Sequence, residues 1–179
     1  FRDNHPMQQH DISISGGKDD LKYYLSGAFD RQEGILREHP DVYKRYNLRS
    51  KIDFRVNKWI TMSNNTSFYS SQYSYLGDGS VENTLAYSSR HALACFPQKN
   101  PDGSWLYSTP YLNYKVANGR HILLGEDSHR NVDRTTDFSN TTRVVYAPFK
   151  TLSLTGDFTY RQYQTRNTSR SHPMYYREY

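Results

Sequence analysis

The sequence predicts an all-β chain of antiparallel, up-and-down strands, and three observations carry that expectation. The first is residue-by-residue alternation, clearest in Lys44 to Val56, KRYNLRSKIDFRV. Tyr46, Leu48, Ile52, Phe54 and Val56 fall on one side, and Arg45, Asn47, Arg49, Lys51, Asp53 and Arg55 on the other. Successive strand side chains point to opposite faces, so this is one apolar and one charged face; helical spacing would mix the two sets. The second is composition. Only 35% of the 179 residues are hydrophobic, yet 15% are aromatic and 17 are tyrosines. A disordered chain of equal polarity would be poor in aromatic residues. The third is the spacing of the connections, which alternate between short and long.

The remaining strands follow in chain order. Asp11–Ser15 places Ile12 and Ile14 on one side. Lys22–Gln32 places Tyr23, Leu25, Gly27 and Phe29 opposite Tyr24, Ser26, Ala28, Asp30 and Gln32. Ile60–Tyr73 begins with Ile60 and Met62 on one face and continues to Phe68. Phe138–Ala147 aligns Phe138, Val144 and Tyr146. Leu152–Tyr163 sets Leu152, Leu154, Phe158 and Tyr160 against Ser153, Thr155, Asp157, Thr159 and Arg161.

Tight turns are expected at Gly16–Asp20, where glycine permits positive φ, at Asn57–Lys58 and at Pro148–Lys150. Between them lie a longer link, Ile35–Tyr43, and a long insertion from about Leu76 to Asp137. Short links at one end and long ones at the other match an outer-membrane β-barrel with turns in the periplasm and loops outside. Strands of about 9–11 tilted residues suffice to cross a bilayer. The chain therefore divides into four barrel strands over 1–75, a long extracellular loop over 76–137, and two further strands over 138–179. Within the loop, Glu82–Cys95 is compatible with a short helix ended by Pro97, and Asn100–Pro101–Asp102–Gly103 is a strong turn signal between Phe96 and Trp105. A soluble carbohydrate-binding β-sandwich shares the alternation but needs two apolar faces packed together.

Several kinds of chemistry are excluded or disfavoured. The net charge of +5 includes no Lys/Arg block that would track a nucleic-acid backbone. Cys95 is the single cysteine, so no intrachain disulfide forms, and His91, four residues before it, makes at most half a metal site. Asp30, Arg31 and Glu33 sit where a strand meets a loop, where charge is ordinary, so they are not read as an acid–base pair. A glycosidase would need two carboxylates across one site. No enzyme and no cofactor is expected. The Asn-x-Ser/Thr stretches at Asn64/Asn65, Asn140 and Asn167 are expected on polar strand faces or in a loop. The candidate functional residues are the charged face of the third strand, Arg45, Arg49 and Lys51, and the loop aromatics Trp105, Tyr107, Tyr111 and Tyr114. The former would tune what passes a water-filled lumen. The latter would either contact a substrate or form the loop's own small core.

One resemblance is specific. Ser15–Gly16–Gly17, Tyr23–Tyr24, Gln32–Glu33–Gly34–Ile35, Lys44–Arg45–Tyr46–Asn47–Leu48–Arg49 and Trp59 occur in the order typical of SusC/RagA-type TonB-dependent outer-membrane transporters of Bacteroidetes. The chain resembles a barrel segment of that family across about Gln9–Ser71, and Asn100–Ser104 is similar to a loop motif of it. The resemblance implies a barrel of about 22 strands around an N-terminal plug, of which this chain would hold about six. It also implies an outer-membrane location, a SusD-like surface lipoprotein as lid, energy from the TonB complex through parts outside this chain, and glycan or peptide import. In that frame the even-numbered residues of Lys44–Val56 face lipid. Tyr23, Phe54, Trp59 and Tyr146 toward the turns, and Phe29, Tyr46, Phe68 and Tyr160 toward the loops, form the aromatic girdles. Phe1 is not a natural start, so the chain reads as a piece of something longer.

Overall fold

The computed structural model describes residues 2–37, 39–76, 86, 90, 91, 95–109, 114–126 and 129–177. Six long strands form one antiparallel sheet: β1 (Met7–Lys18), β2 (Leu21–Glu33), β3 (Val42–Arg55), β4 (Ile60–Leu76), β7 (His129–Phe149) and β8 (Leu152–Ser171). They are hydrogen-bonded in chain order, β1-β2-β3-β4-β7-β8. The loop between β4 and β7 carries a two-stranded ribbon of β5 (Ser108–Thr109) and β6 (Tyr114–Lys115), a 3-10 turn (Val116–Gly119) and helix α1 (Arg120–Glu126). An all-β, up-and-down sheet is what the alternation predicted. The sandwich is not formed: the long strands make a single sheet, and Ile12, Leu48, Leu154 and Phe158 on its apolar face are 57–70% exposed. No described helix is long and apolar enough to cross a membrane, a statement that does not bear on strands.

The register puts the predicted faces together. One cross-strand row runs Ile12–Gly27–Leu48–Phe68–Phe138 and another Tyr23–Ile52–Asn64–Thr142–Phe158. The odd-numbered side of β3 joins Tyr24, Ser26, Asp30, Ser67 and Thr141 on the polar face. Gly27 sits in this apolar row, where a Cβ would make only an ordinary contact with a Leu48 methyl at 3.4 Å.

The strands are longer than the alternation alone suggested, and two turns move. Gly16 and Gly17 lie inside β1, and the hairpin turns at Asp19–Asp20. Gly17 sits at φ +149°, where a Cβ would come within 2.2 Å of the Leu21 carbonyl. Gly17 thus serves close backbone approach and Gly16 leaves room for the Tyr23 ring, rather than forming the bend itself. Pro148 and Phe149 end β7 at a bulge, and the turn shifts to Lys150–Thr151. The third turn forms as expected: the Asn57 Oδ1 accepts hydrogen bonds from the Trp59 and Ile60 amides at 2.8 and 2.9 Å. β7 begins at His129, well before Phe138, because it pairs with β4 as far as Leu76–Arg130 and with β8 as far as His129–Ser171.

The Asn-x-Thr stretches require a correction. Asn64, Thr66, Asn140 and Thr142 lie on the apolar face, not the polar one, and pair as Asn64 with Thr142 and Thr66 with Asn140. Asn64 Nδ2 donates to Thr142 at 2.9 Å, Asn140 Nδ2 to Thr66 at 2.7 Å, and Thr66 Oγ1 to the Asn64 amide oxygen at 2.9 Å. The four side chains satisfy one another. The expected girdle also shifts: Phe29 and Tyr46 meet near the loop end with ring centroids 5.0 Å apart. Phe68 and Tyr160 pair with Leu48 and Asn140 instead, nearer mid-sheet.

Candidate functional site

The polar face of the sheet is built from register. Charges on it neutralise one another across strands: Arg45 Nε donates to Asp30 at 2.8 Å, Arg143 grips Asp157 with two bonds at 2.7 and 3.0 Å, and Arg161 grips Asp137 at 3.0 and 2.7 Å. Such fork-to-carboxylate pairs fix geometry more than they add stability when exposed. Asp30 is buried, so its role is to hold Arg45. Lys51 lies 3.5 Å from Asp53 on the same strand. Arg49 differs: it makes no ion pair among the described residues, and its neighbours in register are Ser26 and Ser67. A cavity of about 460 Å³ opens beside it, lined also by Tyr24, Ser26, Asn47 and Tyr69. Of the three predicted residues of β3, one is therefore locked, one is loosely paired and one is free to meet an anion.

Asp30, Arg31 and Glu33 hold the strand end. Glu33 accepts from Arg2 at 2.5 Å and from Arg31 at 2.7 Å, and Gly34 presses against the Asp41 side chain, where a Cβ would sit 1.6 Å from Oδ1.

Three of the four predicted loop aromatics lie among the described residues, and each packs on a different partner. Trp105 lies edge-on to His121 at 5.9 Å and under the Lys99 ammonium at 4.3 Å. Its ring covers Gly125, leaving no room there for a Cβ. Tyr107 packs at a tilt against Tyr176 with centroids 4.6 Å apart, and Tyr114 stacks on Phe96 at 4.9 Å and donates its hydroxyl to the His91 carbonyl. Tyr111 lies outside the described residues, as does most of Glu82–Cys95; Cys95 itself is exposed. Beneath these rings Leu106, Val116, Ala117 and Ile122 are buried, with Ile122 fully so. This is a small core built on the loop and joined by the segment after β8.

Two devices hold that core. The Asn100–Ser104 turn closes with Asn100 N–H to Ser104 carbonyl at 2.8 Å and Gly103 at φ +84°. Asp102 accepts from the Ser104 hydroxyl at 2.6 Å and its amide at 2.9 Å, which holds its carboxyl below the usual range. Buried His121 meets the Leu106 carbonyl at 2.9 Å, and burial pushes its pKa down. Sequence reading missed the segment after β8, which returns to the loop. The Arg177 amide donates to the Trp105 carbonyl at 3.0 Å and its side chain reaches Asp102 at 2.9 Å. A contact across so much sequence leaves no local pattern to read.

No family model and no curated protein matches the chain. Solved structures do. The structure of the RagAB peptide transporter superposes with a TM-score of 0.64 at 23% identity, over 92% of this chain and 18% of that one. The RagAB peptide importer in its closed-closed state gives 0.66 at 23%, over 94% and 19%. The chain thus spans about a fifth of the length of these relatives in fold. Its six-stranded sheet and loop share the fold of a segment of the RagAB transporter, the type of protein that its residues resemble.

Proposed function

We propose that this chain is a wall segment of an outer-membrane nutrient importer of the SusC/RagA type, with its apolar face toward lipid and its polar face toward the lumen. The observation that carries the reading is the two-faced sheet with short turns at one end and a folded loop at the other. On the apolar face, the rows from Ile60–Tyr146–Leu154 to Phe29–Tyr46–Ser70 are ten residues apart along β4. At about 3.4 Å per residue and a tilt of about 40°, that is a band of roughly 26 Å, the height of the apolar belt of such barrels. Arg45, Arg49 and Lys51 line the substrate path, with Arg49 as the group free to engage cargo. Trp105, Tyr107, Tyr111 and Tyr114 shape the outer mouth. The role is transport rather than catalysis.

The remaining parts of the reading rest on the resemblance and the neighbours. A SusD-like lipoprotein covers the loop side, and TonB supplies energy through parts outside this chain. The cargo is a peptide or glycan; the neighbours are described as peptide importers, which supports peptide. The test uses the full-length protein that carries this chain. It partitions with outer membranes, and Arg49→Ala lowers uptake without changing the amount in the membrane. Recovery in the soluble fraction overturns the reading.

A further inference from the structure

The outward face of the sheet ends in a row of cations. Two residues beyond the row Phe29–Tyr46–Ser70–Thr136–Gln164, whose β2 and β3 members are aromatic, Arg31, Lys44, Gln72, Arg134 and Arg166 lie side by side in register. They share the face of Phe29, Tyr46, Phe68, Phe138 and Tyr160 because strand side chains alternate with period two. Arg31 is held by Glu33 at 2.7 Å. Lys44, Arg134 and Arg166 make no ion pair or hydrogen bond among the described residues, and Arg134 and Arg166 are exposed. Arg134 and Arg166 stand directly opposite each other on β7 and β8. Like charges in that position destabilise a sheet. The opposite pattern holds on the polar face of the same two strands, where Asp137 and Asp157 each receive an arginine. Over the loop-side half of β7 and β8, the outward positions from Phe138 to Arg130 and from Tyr160 to Arg170 include no acidic residue.

We propose that Lys44, Arg134 and Arg166 form a binding surface for the phosphate groups of membrane lipids at the loop-side interface. The inference rests on the transporter reading, which sets this face against lipid. Its own ground is position and charge. The row begins about 7 Å along the strand beyond the apolar band, at headgroup depth. Two facing guanidiniums present planar donor forks that suit phosphate oxygens, and an anion between them removes their mutual repulsion. Lys44 adds a third charge two strands away, across Gln72. A bilayer surface rather than a soluble ligand is favoured because Lys44 lies two residues from exposed Tyr46, and the arginines share the outward face of Phe138 and exposed Tyr160.

The test uses the full-length protein in detergent, with bound lipid counted by native mass spectrometry. The probes are diphosphorylated lipid A, the same lipid with its phosphates removed, and inorganic phosphate. The phosphorylated lipid binds, and the R134Q/R166Q protein binds it about 30-fold more weakly, from about fivefold per cation. Lys58→Gln, at the opposite rim, leaves binding unchanged. Equal binding by R134Q/R166Q overturns the inference, as does equal binding of the phosphate-free lipid or binding of inorganic phosphate alone. Membrane fractionation of the same proteins separates the two readings. A protein that inserts normally but loses no lipid contradicts only the lipid surface, whereas one absent from membranes contradicts both. Unchanged gel mobility of the folded R134Q/R166Q barrel confirms that a loss of binding is not a loss of fold.

Discussion

Replacing Asn140 by alanine should destabilise the sheet, and replacing its whole polar cluster should not. Asn140 donates to Thr66 at 2.7 Å and to Asn64 at 3.2 Å, and accepts from Asn64 at 3.3 Å. On the proposed membrane reading, the scale is that of side-chain hydrogen bonds between packed membrane segments, about 0.6 kcal/mol each on average and up to about 1.7. Three of them give roughly 2 kcal/mol for Asn140→Ala, because the abandoned Asn64 amide and Thr66 hydroxyl have apolar surroundings. Asn64→Ala breaks the same cluster from the other strand, so the two costs overlap. The pair Asn64→Ala/Asn140→Ala should show a coupling of about 1–2 kcal/mol, well above the ~0.3–0.5 kcal/mol scatter of independent sites. Changing Asn64, Thr66, Asn140 and Thr142 together to valine leaves no orphaned polar group and should be near neutral in free energy. It should instead loosen register, since β4 and β7 are joined by the long loop and no tight turn sets their alignment. The assay is urea unfolding of the full-length protein in lipid vesicles, followed by the mobility difference between folded and unfolded barrels. Additive single costs, or a valine quartet worse than either asparagine single, would refute the reasoning.

Three further outcomes follow from the loop and the first hairpin. His121 is buried with its pKa lowered, so the unfolded loop takes up the proton first. Loop stability is therefore full above about pH 6.5 and falls as pH drops toward the lower folded value. Amide exchange at Val116 and Ile122 should be faster at pH 5 than at pH 8 after correction for intrinsic rates, and His121→Leu should flatten that dependence. Gly119→Ala places a side chain at φ +79° with its Cβ 2.9 Å from the Tyr107 ring. It should cost about 1–2 kcal/mol locally, seen as faster exchange confined to the loop. Gly17→Ala meets the Leu21 carbonyl at 2.2 Å and should open the β1–β2 hairpin by at least about 1 kcal/mol. Gly156→Ala, where a Cβ meets nothing within 4 Å, is the matched control, and equal effects would contradict the steric account.

What the sequence determined by itself is the two-faced strand. KRYNLRSKIDFRV states its apolar and charged sides in the order of its residues, because a strand has period two whatever surrounds it. The pairs β1–β2 and β3–β4 were equally legible, since tight links force neighbours to pair antiparallel. The tertiary structure decided everything that depends on which residues face one another across strands. That Arg45 is locked to buried Asp30 while Arg49 is free follows from a register that no single strand contains. The Asn-x-Thr stretches read as ordinary polar residues until β4 and β7 met and their amides closed on each other across an apolar face. Gly16 and Gly17 suggested a bend by their chemistry, but the Tyr23 ring and the Leu21 carbonyl claimed the space that their missing side chains leave. Arg134 and Arg166, unremarkable in sequence, became a facing pair of like charges only when β8 settled beside β7. Period is local and is written in the chain; register is a contact between distant residues, and only the assembled sheet supplies it.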